Sequence, residues 1–209
     1  MTGRREQKKQ ATREALSAAA LRLALDQGVA NVRVEEIADS AGVAPRTYNN
    51  YFASREQAVA AAIAAERALR VGAALRGRPD GEELAAAVTA AVVTQYVDHE
   101  PDQRVLALLA GSDAIRAEYL DAVAGFAQPL TAALADRAGT DPADIAPEVL
   151  AAAVAAACRV AVSRWLDHTP RGGGLVAVTG RPLEELLREA LAPLEPALTR
   201  WAGTSGTAS

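Results

Sequence analysis

Residues Val34 to Arg55, VEEIADSAGVAPRTYNNYFASR, read as two short helices joined by a tight glycine turn, a spacing that few folds accommodate. Ile37 and Ala38 supply the apolar face of the first helix, Gly42 allows a sharp reversal, and Val43 follows as an anchor for the turn. The next helix opens at Pro45, whose missing N–H costs nothing in a first turn. Its run, Pro45-Arg46-Thr47-Tyr48-Asn49-Asn50-Tyr51, is dense in groups that hydrogen-bond bases and phosphates and poor in aliphatic core formers. Such a helix is expected to be presented to a partner rather than buried.

The flanks agree with this arrangement. Leu16, Ala20, Leu23 and Ala24 lie at helical spacing between Thr12 and Gln27, and Gly28 follows as a C-terminal stop. After Phe52, Ser54 with Gln57 three places on makes a capping box that starts an alanine-rich helix reaching about Leu75. Residues 1–53 are therefore expected to form a helix-turn-helix head and residues 54–76 a connector helix.

Thr12-Arg13, Gly28, Ile37-Ala38, Ala41-Gly42-Val43, Thr47, Tyr51-Phe52 and Ser54-Arg55, taken together and in this order, resemble the DNA-binding head of TetR-family transcriptional regulators. The resemblance covers roughly residues 8 to 60. It departs from the family pattern at Arg33, where a Thr or Ser cap is frequent, and at Asn49, where the usual Tyr is displaced to Tyr48. The resemblance implies an all-α fold, with the head joined to a C-terminal helical bundle over residues 77–201 that binds an effector and dimerises. It also implies a DNA-binding regulator, most often a repressor, that leaves a pseudo-palindromic operator when a small, largely apolar ligand binds.

Within the head, Pro45, Arg46, Asn49 and Asn50 are the candidates for base-edge contact, arginine towards guanine and asparagine towards adenine. Thr47, Tyr51, Arg33 and Arg55 are expected on phosphates, where they set the register. Charge supports the placement: residues 1–55 hold nine Lys/Arg against six Asp/Glu, a net +3, which leaves −7 for the remainder of a chain whose total is −4. A basic head on an acidic body confines phosphate attraction to one end.

Beyond residue 76 the chain continues as helices. Leu84, Val88, Val92, Tyr96 and His99 form one stripe, Ile115, Tyr119, Val123, Phe126, Leu130 and Leu134 another, with Pro129 expected to bend the second helix near its middle. A short helix from Pro101 to Ala110 carries Arg104 between them. Tyr96, His99, Arg104, Tyr119, Phe126 and Trp165 are the candidates for walling an effector cavity; ordinary core packing of the aromatics and solvation of His99 and Arg104 are the alternative.

The last long helices, near 148–167 and 182–201, are alanine-rich or leucine-striped, and Pro193 and Pro196 must kink or break the second. Both show more apolar surface than one copy readily covers, and the family resemblance implies that they build a homodimer interface. The segment 169–180 is expected as a loop, and 202–209 as a disordered tail.

Other function classes find little support. The single cysteine, Cys158, excludes an internal disulfide and sits on an apolar stripe, which suits an inert buried thiol in a reducing cytoplasm. His99 and His168 have no ligand or triad spacing, and Lys8 and Lys9 are the only lysines, so no catalytic, metal, cofactor or nucleotide-loop site is expected. No apolar run reads as a membrane span, and the charged N-terminus lacks the apolar core of a signal peptide. Two alternatives stay open: an architectural DNA binder of the same fold without an effector, and a helical enzyme or carrier unrelated to DNA.

Overall fold

The computed structural model describes residues 2–97, 103–125, 127–168 and 180–205, and among them the only regular structure is helical. The order is α1 (Thr2–Gln27), α2 (Val34–Ser40), α3 (Pro45–Tyr48), α4 (Arg55–Arg76), α5 (Leu84–Val97), α6 (Gln103–Gly111), α7 (Asp113–Ala124), α8 (Ala127–Ala138), α9 (Ile145–Asp167), α10 (Leu183–Leu191) and α11 (Glu195–Ser205). The chain divides into two compact units. The first holds α1 to α3, α4 as far as Ala64, α6, and α7 as far as Tyr119; the second holds the remainder.

In the first unit, Leu16, Ala20 and Ala24 of α1, Ile37 and Ala38 of α2, and Val32, Tyr48 and Phe52 are fully or almost fully buried. The turn after α2 is a Schellman motif: Gly42, at φ +69°, donates its N–H to Asp39 O, and the Val43 N–H reaches Ala38 O, both at 3.0 Å. A left-handed residue closes that turn, and glycine occupies it without steric cost. The Ser54 cap of α4 forms, with Gln57 N–H donating to Ser54 Oγ at 3.0 Å, while the return bond to Gln57 Oε1 comes at 2.9 Å from the N–H of Ala53, one residue before the cap.

In the second unit, α9 packs against α8 and α10, while α10 and α11 pack against α5. Val88, Val92, Leu130, Leu134, Val154, Cys158, Leu187 and Leu198 make its interior. Gly72 of α4 meets the first turn of α8 so closely that a Cβ there would lie 3.0 Å from Pro129 O. Nearby, Arg76 pairs with Asp136 at 2.8 Å, and Arg137 donates to the carbonyls of Arg78, Pro79 and Glu82.

Several expectations change. The stripe from Ile115 to Leu134 is two helices rather than one bent at Pro129: α7 ends where Gly125 N–H folds back to Ala122 O, and Pro129 falls in the first turn of α8, where its missing N–H is harmless. The proline pair in the last segment breaks it outright, Pro193 lying in a 3-10 turn (Ala192–Leu194) and Pro196 in the first turn of α11. α11 continues to Ser205, so residues 202–205 are helical where a disordered tail was expected; after Pro196 no proline interrupts it, and Leu198 anchors it. Most of the loop expected at 169–180, and the last four residues, lie outside the described residues.

Among the described residues, the large exposed apolar side chains all belong to α9. Ile145, Val149 and Val160 are 77%, 57% and 48% exposed, whereas α10 turns Leu183, Leu186, Leu187 and Leu191 inward and shows Glu184, Glu185, Arg188 and Glu189 outward. α9 is also long and apolar enough to cross a membrane by length and composition, contrary to the sequence expectation. Its inner side is committed to α8 and α10, and the core helix of a packed bundle passes the same test.

Candidate nucleic-acid interface

The recognition segment is shorter and more firmly held than its sequence suggests. Only Pro45–Tyr48 is α-helical; the N–H groups of Tyr51 and Phe52 both bond back to Tyr48 O, at 2.8 and 3.1 Å, which turns the chain away after one turn. Asn49 and Asn50, weak helix formers that favour turns, sit where the helix stops.

Tyr48 is the exception to the presented character of this run. It is buried, its ring lies 5.7 Å from that of Phe52, and its hydroxyl donates to Ser54 O at 2.7 Å. Burial, with Glu56 adding to it, raises the phenol from 10 to about 12. On the other side Arg13 lays its guanidinium 4.7 Å over the Phe52 ring and donates to Tyr51 O at 3.3 Å. The segment is thus gripped from within and from α1, which leaves Pro45, Arg46, Asn49 and Asn50 exposed and Thr47 and Tyr51 half-exposed.

Beside them lies a concave groove of about 610 Å³, lined by Arg5, Lys8, Lys9 and Thr12 of α1 together with Val43, Thr47, Asn50 and Tyr51. Three cations, two hydroxyls, an amide and a phenol converge there, the mixture that phosphate and base edges require. Sequence reasoning missed the α1 contribution, because it started α1 at Thr12, where the apolar stripe begins. The available signal was the spacing of Arg4 with Lys8 and Arg5 with Lys9, four apart, which lines up cations once the helix extends back to Thr2.

The two remaining phosphate candidates stand differently. Arg33 is exposed and precedes α2, whose first turn is capped by Glu36 accepting from Arg33 N–H at 3.1 Å; a guanidinium only donates, so it cannot return the bond as a Thr or Ser would. Arg55 is held inside the head. Its guanidinium donates to Ala30 O at 3.2 Å and Val32 O at 2.9 Å, and pairs with Glu56 at 2.9 Å.

The effector candidates are split between the two units. In the first, Tyr119 is buried, and Arg104 reaches to the end of α1, donating to Leu25 O at 2.6 Å and lying 3.5 Å from Asp26. In the second, Tyr96 and Trp165 are buried. His99 and Phe126 lie outside the described residues. Cys158 is buried, and desolvation raises its thiol to about 12, which makes it a poor nucleophile.

Comparison with known proteins finds two matched stretches along the chain. Residues 16–62 match the family described as bacterial regulatory proteins of the tetR family, and residues 81–199 match the MftR C-terminal domain of the same class of regulators. The HTH-type transcriptional regulator TcmR of Streptomyces glaucescens is 31% identical over 174 residues, spanning 78% of this chain and 76% of that protein. Among solved structures, FadR of Thermus thermophilus, a TetR-family repressor in complex with lauroyl-CoA, is 22% identical, with a TM-score of 0.45 over 88% of this chain and 93% of its own. A putative TetR-family regulator from Rhodococcus sp. is 18% identical, with a TM-score of 0.44 over 90% and 99%.

Proposed function

This chain belongs to the TetR family and is a DNA-binding transcriptional regulator, and on that premise we propose that it is a homodimeric repressor released from a pseudo-palindromic operator by a small, largely apolar ligand. The observation that carries the DNA half of the reading is the groove where Arg5, Lys8 and Lys9 face Thr47, Asn50 and Tyr51. α1 holds phosphates there, while Arg46, Asn49 and Asn50, with Pro45 at the helix start, read base edges in the major groove.

Dimer formation rests on α9. Its exposed side runs Ile145, Val149, Ala152, Ala156 and Val160, spaced four, three, four and four residues apart along one helical face with small residues at the centre. A second copy of that face buries it, and two-fold pairing presents two heads to successive major grooves. The charged outer side of α10 then forms the rim of the interface rather than its centre.

Release follows from a ligand that binds one dimer state better than the other; its differential affinity sets how far operator binding can fall. Residues 1–53 act as the head, 54–76 as connector, and 77–201 as the effector and dimer domain, in the cytoplasm, without cofactor or enzymatic step.

A footprint of the full chain on the DNA flanking its own gene, at two salt concentrations and with competitor DNA, tests this reading. A discrete two-fold protected site supports it. Diffuse protection would move the chain to an architectural role, and salt-independent absence of protection would remove DNA from the reading.

A further inference from the structure

Gln95 of α5 is 8% exposed, and its Oε1, fully withdrawn from solvent, has no hydrogen-bond partner. It closes the inward stripe Leu84, Val88, Ala91 and Val92, all buried and all apolar, so the amide is a polar head at the end of an aliphatic wall. Buried polar atoms in folded proteins are almost always paired, and an orphan calls for an explanation: a missing partner or a functional strain. No other side chain of α5 has a buried polar atom without a partner: Thr89 and Thr94 are more exposed, and the buried Tyr96 is engaged.

We infer that Gln95 is the polar anchor of the effector site, and that the effector is an apolar molecule carrying a hydroxyl or N–H donor, which the Gln95 side-chain oxygen accepts. The inference rests on the reading of residues 77–201 as the effector domain and gives that domain its first chemical preference. A site built to hydrogen-bond a ligand group rejects the analogue lacking it far more strongly than an apolar pocket discriminates by a methylene, because its own buried atom is left unpaired. The neighbouring wall sets the rest of the ligand: Val88, Val92 and Tyr96 favour a flat or aliphatic body without charge.

The experiment uses the full chain and two probes of matched shape, 2-naphthol and naphthalene, titrated by calorimetry against wild type and Gln95→Met, with the unliganded melting temperature of each protein recorded. The expected result is 2-naphthol binding at least tenfold tighter than naphthalene to wild type, loss of that preference in Gln95→Met, and a variant melting temperature equal to or above wild type. Equal affinities in wild type, no binding of either probe, or a preference that survives in the variant would overturn the assignment. So would a fall in melting temperature, which marks an amide satisfied by structural water. The wild-type comparison needs no substitution, and so stands even if the variant fails to fold. The operator footprint run on the same preparation separates the two readings: a specific footprint with no probe preference unseats Gln95 alone, and a probe preference without a footprint unseats the operator.

Discussion

The Tyr48 hydroxyl donates to the Ser54 carbonyl at 2.7 Å, tying the last residue of the recognition helix to the cap of the connector helix. The bond fixes where α3 ends relative to where α4 begins. Tyr48→Phe removes the donor and leaves a carbonyl short of a partner, so stability at neutral pH should fall by about 1 kcal/mol. The pH dependence has a defined sign. The folded phenol ionises near 12 and the unfolded one near 10, so the folded state retains its proton longer, and stability should be unaffected below pH 10 and decline between 10 and 12. Urea melts across pH 7 to 12 check both points; an equally steep alkaline loss in Tyr48→Phe would assign it to other groups.

Arg46 and Lys8 should separate reading from gripping. Arg46→Ala is expected to cost about 1–3 kcal/mol on the operator and relax preference at the contacted base pair. Lys8→Ala should weaken operator and random DNA alike and lower the salt slope by about 1. Fluorescence anisotropy over a salt series on both DNAs distinguishes them, and equal losses on the two DNAs for Arg46→Ala would remove its base-reading role.

Arg55 is expected to act through the fold of the head. Two of its hydrogen bonds, to Ala30 O and Val32 O, join the start of α4 to the segment between α1 and α2, a third holds its neighbour Glu56, and Arg55→Ala should destabilise the protein by about 1–3 kcal/mol. Binding to all DNAs should then fall together and recover at a temperature where the variant is folded. An unchanged melting curve with a flattened salt slope would instead return Arg55 to the phosphate role that its sequence position suggests.

The exposed α9 face gives the dimer prediction. Val149→Glu places a charge on an exposed apolar face that the interface must dehydrate, and should cost at least about 2 kcal/mol of association free energy. Sedimentation should show monomer at micromolar concentration, with operator affinity lost and the helical circular dichroism spectrum retained. A dimer that persists would move the interface off α9.

How much of this was legible beforehand varied with the kind of signal. The head could be read closely because each of its features is local: Gly42, Pro45, the Ser54–Gln57 cap and the Ile37-Ala38 pair announce themselves within a few residues. The first three turns of α1 were missed because a helix carrying only polar side chains has no hydrophobic period to betray it. The burial of Tyr48 and the carbonyl contacts of Arg55 were not legible for a related reason, since a tyrosine or arginine in a DNA-binding motif has the same letters whether it faces phosphate or backbone carbonyls. Gln95 could not be singled out at all; an unsatisfied atom is a property of its surroundings, and only folding reveals that no donor reaches it.

Alanine is the commonest residue of α4, yet position 72 holds glycine, which weakens a helix interior by about 1 kcal/mol relative to alanine. The usual stabilising exchange is closed off there, because the added methyl would press on the Pro129 carbonyl, and an atom within a helical turn has little room to retreat. An engineer seeking a more heat-resistant variant could improve nearly any exposed site on this helix before that one. At that point the connector and α8 are machined to a shared tolerance, and the missing carbon atom is the clearance between them.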